Sequence, residues 1–190
     1  MIISYHGAEC FKISQGNLAL VLNPQSKMSA DITLFSANRT LPAEALAKAG
    51  FIIDGPGEYE IKDVFVRGFL SEGVNKKINT IYLISFEGMN LCFLGALANP
   101  KLSDATLESI EDIDILFIPV SAETLDPASA YKLAVSLEPS VIIPTYYTKA
   151  TLEQFFKEGG EAKVESLDKF VVKKKDLEGK EGEVVVLKEE

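Results

Sequence analysis

The sequence predicts an α/β fold, a sandwich of two mixed sheets held between helices, and three observations carry that prediction. Short β-type runs crowd the first half of the chain, the second half turns to a regular alternation of helix and strand, and no linker, low-complexity tract or repeat divides them. One domain over residues 1–190 is the consequence. At 47% hydrophobic and 25% charged content, 190 residues supply one substantial core.

Residues 1–5, 9–14 and 17–22 read as strands, with Gln15, Gly16 and Asn17 giving a hairpin turn between the last two. The stretch DITLFSANRTLP, residues 31–42, reads as a strand, a loop and the start of a helix. Its apolar run of Ile32, Leu34 and Phe35 stops at Ser36, and Pro42 has the fixed φ of a first helical turn. That helix runs to about Lys48 and ends at Gly50, whose left-handed freedom suits a C-terminal cap. Strands follow at 51–54, 59–69, 79–86 and 90–94, broken by DGPGE, SEGVNKK and EGMN. Next come a helix near 103–110, the strand IDILFIPV, and a helix over 127–137 opened by Asp126 and Pro127. The strand SVIIP, a helix over 150–158 closed by Gly159 and Gly160, and two late strands complete the order.

A formal charge of −9 and a pI near 4.8 give a surface that repels phosphate backbones and anionic lipid. Nucleic acid and membrane surfaces are therefore excluded as nonspecific partners. The KKK run at 173–175 sits beside acidic neighbours and reads as a solvated strand edge or loop. No apolar run approaches a membrane span and no signal-peptide pattern opens the chain, so a cytoplasmic protein is expected. Cys10 and Cys92 lie far apart in apolar, strand-like surroundings and read as two buried free thiols. Ser36, Ser85 and Ser121 have no His or Lys at a readable motif spacing, and neither a G-x-S-x-G elbow nor a glycine-rich phosphate loop occurs. The segment DGPGEYE offers Asp54, Glu58 and Glu60, but Gly55, Pro56 and Gly57 make a solvated corner its simpler reading than an acid–base pair.

Six segments, in order, carry a resemblance. YHGAECFKI resembles a W/Y-x-G-x-S-C-F-K-I strand, and LNP resembles the D-P that follows it. FIIDGPGEYEIKDVFVRG contains a GPGEYE element, and NTIYLISFEGMNLCFLGAL resembles an NTIY…HLGDLG hairpin. DIDILFIPV matches the next strand, and EPSVIIPTYY resembles P-x-I-V-I-P-M-H-Y. Together they resemble the metallo-β-lactamase fold, and within it the small bacterial members described as zinc-dependent hydrolases. The resemblance implies an αββα sandwich, an active site at strand ends and a site for zinc or another divalent metal.

The ligand positions that the resemblance implies are vacated here. The signature S/T-H-x-H-x-D-H falls on Ser36 to Pro42, so its first His is Ala37, its second is Arg39, its Asp is Leu41 and its last His is Pro42. In the HLGD element the His is Phe93 and the bridging Asp is Ala96, and in M-H-Y the His is Tyr146. A further family His belongs between about 69 and 78, where this chain has none. A hydrolytic zinc site needs about three protein ligands and an open position for water. This chain has one histidine, His6, at a position that is not a ligand in the motif. His6 and Cys10 share strand parity, so the remaining metal option is a site built from them with Cys92 and a carboxylate; buried apolar roles explain both thiols more simply.

The expectation is a metal-free, non-catalytic protein with a binding or interaction role, its occupant a small molecule, a protein or a second copy of the chain. The competing expectation is a hydrolase with an unorthodox site. Ala37, Leu41, Phe93, Ala96 and Tyr146 are expected to gather at strand ends and fill the former cavity, helped by Tyr147, while Arg39 points outward or pairs with Asp54 or Glu58.

Overall fold

In the computed structural model, which describes residues 1–37, 46, 48–110, 112–160 and 164–190, the chain divides between two sheets close to residue 55. The first sheet takes β1 (Ile2–Tyr5), β2 (Phe11–Gln15), β3 (Leu18–Leu22), β4 (Ile32–Leu34) and β5 (Phe51–Ile53). The second takes β6 (Gly57–Ile61), β7 (Val64–Glu72), β8 (Ile78–Phe86), β9 (Met89–Phe93), β10 (Ile115–Pro119) and β11 (Val141–Thr145). Among the described residues, four further two-residue strands stand where two were expected: β12 (Ser166–Leu167), β13 (Phe170–Val171), β14 (Glu183–Val184) and β15 (Val186–Leu187). β13 borders β1 in the first sheet and β14 borders β11 in the second, so late residues complete both sheets.

Both sheets are mixed, as the sequence predicts. β1, β2 and β3 form an antiparallel meander, and β3, β4 and β5 run parallel. In the second sheet β6 to β9 are antiparallel, while β9, β10, β11 and β14 run parallel. One apolar core fills the space between the sheets, drawing Ile3, Phe11, Leu20 and Leu34 from the first and Tyr82, Ile84, Phe93 and Phe117 from the second. A second core lies on the far face of the second sheet, where Cys92, Leu116 and Ile118 meet Ala130, Leu133, Phe155 and Phe156. Those last four come from α2 (Pro127–Ser136) and α3 (Lys149–Glu158), which follow the shorter α1 (Asp104–Ser109). Asp126 caps α2 as expected, accepting from the N–H groups of Ala128 and Ser129 at 3.1 and 3.2 Å. The helix expected over 42–48 falls largely outside the described residues.

Two expectations need correction. The strand predicted over 59–69 is a hairpin: β6 and β7 join through Lys62 and Asp63, both left-handed at φ 51° and 61°. That turn needs no glycine because Lys62 is tied to the Asp31 carboxylate, and the bond holds the Asp31 carboxyl below its usual range. The late strands number four because each is too short for a period-two pattern to register. Lys173, Lys174 and Lys175 are exposed, as the solvated reading expects, and Lys174 Nζ also lies 2.7 Å from both oxygens of buried Asp114 and supplies that carboxylate's counter-charge. Among the described residues no helix is long and apolar enough to cross a membrane.

Candidate functional site

Parallel strands bring their C-terminal ends to one end of a sheet, and in this sandwich β4, β9, β10 and β11 do so. The segments leaving these ends are Phe35–Ser36–Ala37 after β4, Leu94–Gly95–Ala96 after β9, and Tyr146–Tyr147 after β11. With Phe93, the last residue of β9, they hold the described positions at which the resemblance locates metal ligands.

Buried amides join the first two segments. Asn23, left-handed at φ 44° and fully buried, accepts the Ser36 N–H at 2.8 Å and donates from Nδ2 to Ser36 Oγ at 2.8 Å. Asn79 donates to Leu94 O at 2.9 Å and to Ser71 Oγ at 2.8 Å, and its Oδ1 accepts the Ala96 N–H at 2.9 Å. Thr80 donates its N–H to Ser36 O at 2.6 Å, and the Tyr82 hydroxyl donates to Phe35 O at 2.9 Å. Gly95 lies where these groups meet, with φ +60°; a Cβ there would fall 2.5 Å from Ser36 Cβ and 2.6 Å from Asn79 Oδ1. The loop after β4 is thus pinned by neutral hydrogen bonds in which Ser36 takes part through its N–H, its C=O and its hydroxyl.

Within this frame Ala37 is half-buried and Ala96 buried. Phe93, the last residue of β9, is fully buried between the sheets, its ring edge-on to Phe117 at 6.0 Å. Phe117 in turn meets Phe11 at 4.9 Å, and Phe11 stacks on Tyr5 at 4.9 Å. Tyr146 is half-buried and left-handed at φ 58°, a conformation uncommon for an aromatic residue, with its N–H donating to Ala8 O at 2.8 Å. Tyr147 stacks on Tyr5 at 6.2 Å and donates to Leu187 O at 3.0 Å; burial raises its phenol pKa. The structure therefore joins the neighbourhoods of 37 and 96 directly through Ser36 and Gly95, sinks 93 into the core beneath, and sets 146 against the β1–β2 turn. Arg39, Leu41 and Pro42 lie outside the described residues.

Glu9 is the residue that sequence reasoning missed. It is fully buried in the turn that Tyr146 contacts through Ala8, and it stands where the motif has serine. A carboxylate between Gly7 and the buried pair Cys10 and Phe11 was the available signal. Asp54, on the corner before β6, and Glu58 and Glu60, on β6 itself, are all exposed, in keeping with the solvated reading. Cys10 and Cys92 are free and buried, as expected. Burial pushes the Cys10 thiol up to about 11, its Sγ 3.6 Å from Met28 Sδ, and pushes Cys92 up to about 12. They do not share a site: Cys92 belongs to the core beneath the helices and Cys10 to the rim of the first sheet, which removes the option of a joint Cys–His centre.

A divalent metal does not fit the residues at the described ligand positions. Ala37, Phe93 and Ala96 carry no donor atom, and Tyr146 offers only a phenol. Among the described residues no three His, Cys, Asp or Glu side chains come together to hold an ion.

The model of the beta-lactamase superfamily domain matches residues 2–146. No curated protein matches the chain in sequence. Among solved structures, one from Thermotoga maritima, provisionally named a Zn-dependent hydrolase of the metallo-β-lactamase superfamily, is similar at TM-score 0.83 and 28% identity over 100% of this chain and 99% of that one. A provisionally named metal-dependent hydrolase from Parabacteroides distasonis superposes at TM-score 0.71 with 13% identity, covering 99% and 93% of the two chains. Igni18, a metallo hydrolase from Ignicoccus hospitalis, gives TM-score 0.63 at 12% identity over 90% and 99%. With that match over most of its length, on a sandwich of two mixed sheets, the chain belongs to the β-lactamase superfamily.

Proposed function

We propose that the protein is a metal-free, non-catalytic member of its superfamily that binds a ligand or partner at the end of the sandwich where its relatives carry a metal. Phe93 carries this reading. A fully buried phenylalanine in an aromatic chain occupies the position of a motif histidine, and a hydrophobic side chain packed this way neither ligates an ion nor leaves room for one. Support for a binding role comes from the surface beside it. Leu70 and Ile78 are 62% and 65% exposed on adjacent β7 and β8, and Leu70 faces Thr80, the residue that holds Ser36. Elemental analysis of the purified protein tests the first part, with well under one zinc, iron or manganese per chain as the expected result.

The hydrolase reading draws on one observation, the fully buried carboxylate of Glu9. Assays with phosphodiesters, lactones and β-lactams separate the two readings. No turnover that tracks with the protein is expected; turnover that co-purifies with it and disappears in Glu9→Gln would establish the enzyme instead.

A further inference from the structure

β6 is the end strand of the second sheet: it pairs with β7 on one side, and on the other, among the described residues, no strand adjoins it. Its turn into β7 has two left-handed residues, Lys62 and Asp63, and a two-residue turn of this kind closes on a hydrogen-bonded pair, here Ile61 and Val64. Hydrogen-bonded and open pairs alternate along an antiparallel ladder. Tyr59 and Gly57 therefore bond to β7 as Ile61 does, while Glu58 and Glu60 turn their N–H and C=O groups to the open side. Tyr59 and Ile61 pack against the core between the sheets, so the side chains of Glu58 and Glu60 lie on the outer face. Both are exposed, and among the described residues neither carboxylate forms an ion pair. Arg67 stands opposite Glu58 on β7, but its guanidinium donates to Ser109 O at 3.0 Å. Beside the two carboxylates lies a groove of about 440 Å³, which Phe65, 52% exposed, and Leu83 line with apolar surface.

We propose that β6 docks an extended segment of a partner protein that carries lysine or arginine at every second residue, added to the seven-stranded sheet as a further strand. The backbone groups of Glu58 and Glu60 supply its hydrogen bonds, their carboxylates meet its cations, and Phe65 gives the apolar stems of those side chains a surface to lie on. β6 is the end strand with the length for this. It has five residues, against three in β5 and two in β13 and β14. Charge on an end strand guards it against unwanted pairing, and here the guard is selective. A second copy of the chain laid against β6 would set glutamate against glutamate, and an acidic segment would add to a formal charge of −9. Cations opposite Glu58 and Glu60 make the same electrostatics attractive.

Fluorescence anisotropy with a fluorescein-labelled Lys-Val-Lys-Val-Lys peptide, at low ionic strength and with the intact protein, tests this. The peptide should bind saturably. A copy methylated on every backbone nitrogen keeps the charges and loses the N–H donors, and it should bind at least about tenfold more weakly. The double change Glu58→Gln and Glu60→Gln, at two exposed positions, should weaken binding of the first peptide by about three- to tenfold. Amide exchange should show the Glu58 and Glu60 N–H groups slowed by the peptide, with Ile84, inside the sheet, unchanged. Failure to saturate, equal affinity for the methylated copy, unchanged affinity in the double variant, or no slowing at Glu58 and Glu60 would each overturn the docking strand.

Discussion

A histidine at position 93 would enter a fully buried space lined by apolar and aromatic side chains. Phe93→His should cost about 3 kcal/mol in urea denaturation, the range for removing a buried aromatic group, and should recruit no zinc, because the neighbouring positions supply no further donors. Gly95→Ala tests the pinned loop from the other side. Its Cβ meets Ser36 and Asn79 at under 3 Å in a left-handed backbone, so about 2–4 kcal/mol of stability should be lost, read as an earlier urea midpoint. The thiols give a chemical check. At neutral pH in the native protein, Cys92 should resist iodoacetamide until the chain unfolds, as burial keeps it protonated and out of reach. At this scale the motif positions are read from the sequence alone, because each is a change of residue type at a fixed place in a motif. Glu9, Asn23 and Asn79 were not legible in the same way. The hydrogen bonds of the two asparagines join residues 8 to 17 positions apart, and nothing local distinguishes them from turn or surface amides.

Helix ends were read well because caps are local chemistry. Asp126 before Pro127, and Gly159 with Gly160 after α3, fall where the sequence puts them. The Asp126 carboxyl is held below its usual range, first by its hydrogen bond to Ser129 and then by backbone N–H groups. A lowered value means that this contribution is present above the ordinary carboxylate range and fades as pH falls through the folded-state value. Asp126→Ala should therefore cost about 1 kcal/mol near pH 7, with the deficit shrinking in acid; paired urea titrations at both pH values check it. The β6–β7 hairpin escaped notice for the opposite reason. Lys62 and Asp63 carry no turn signature of their own, and the turn rests on an ion pair with Asp31, 31 residues earlier. The four late strands escaped because two residues cannot display a period, and their partners are chosen by the rest of the fold.

For the molecule as a whole, the two-sheet sandwich was legible from the order of elements, whereas the late residues that finish both sheets were not. Stability should owe nothing to an ion: incubation with a chelator should leave Tm within about 1 °C, and a fall of several degrees would reveal a bound metal that the side chains do not advertise. The seam between β1 and β13 has a further consequence. The Met1 ammonium donates to Val172 O at 2.8 Å, Val172 returns a bond to Met1 O at 3.0 Å, and Ile2 stands opposite Val171. During synthesis one edge of the first strand therefore stays bare until residues 170–172 have left the ribosome. A bare edge of apolar residues invites pairing with the wrong neighbour. Stalled or prematurely ended translation would release chains carrying that edge. Chaperone dependence should fall mainly on the growing polypeptide, and much less on the finished one.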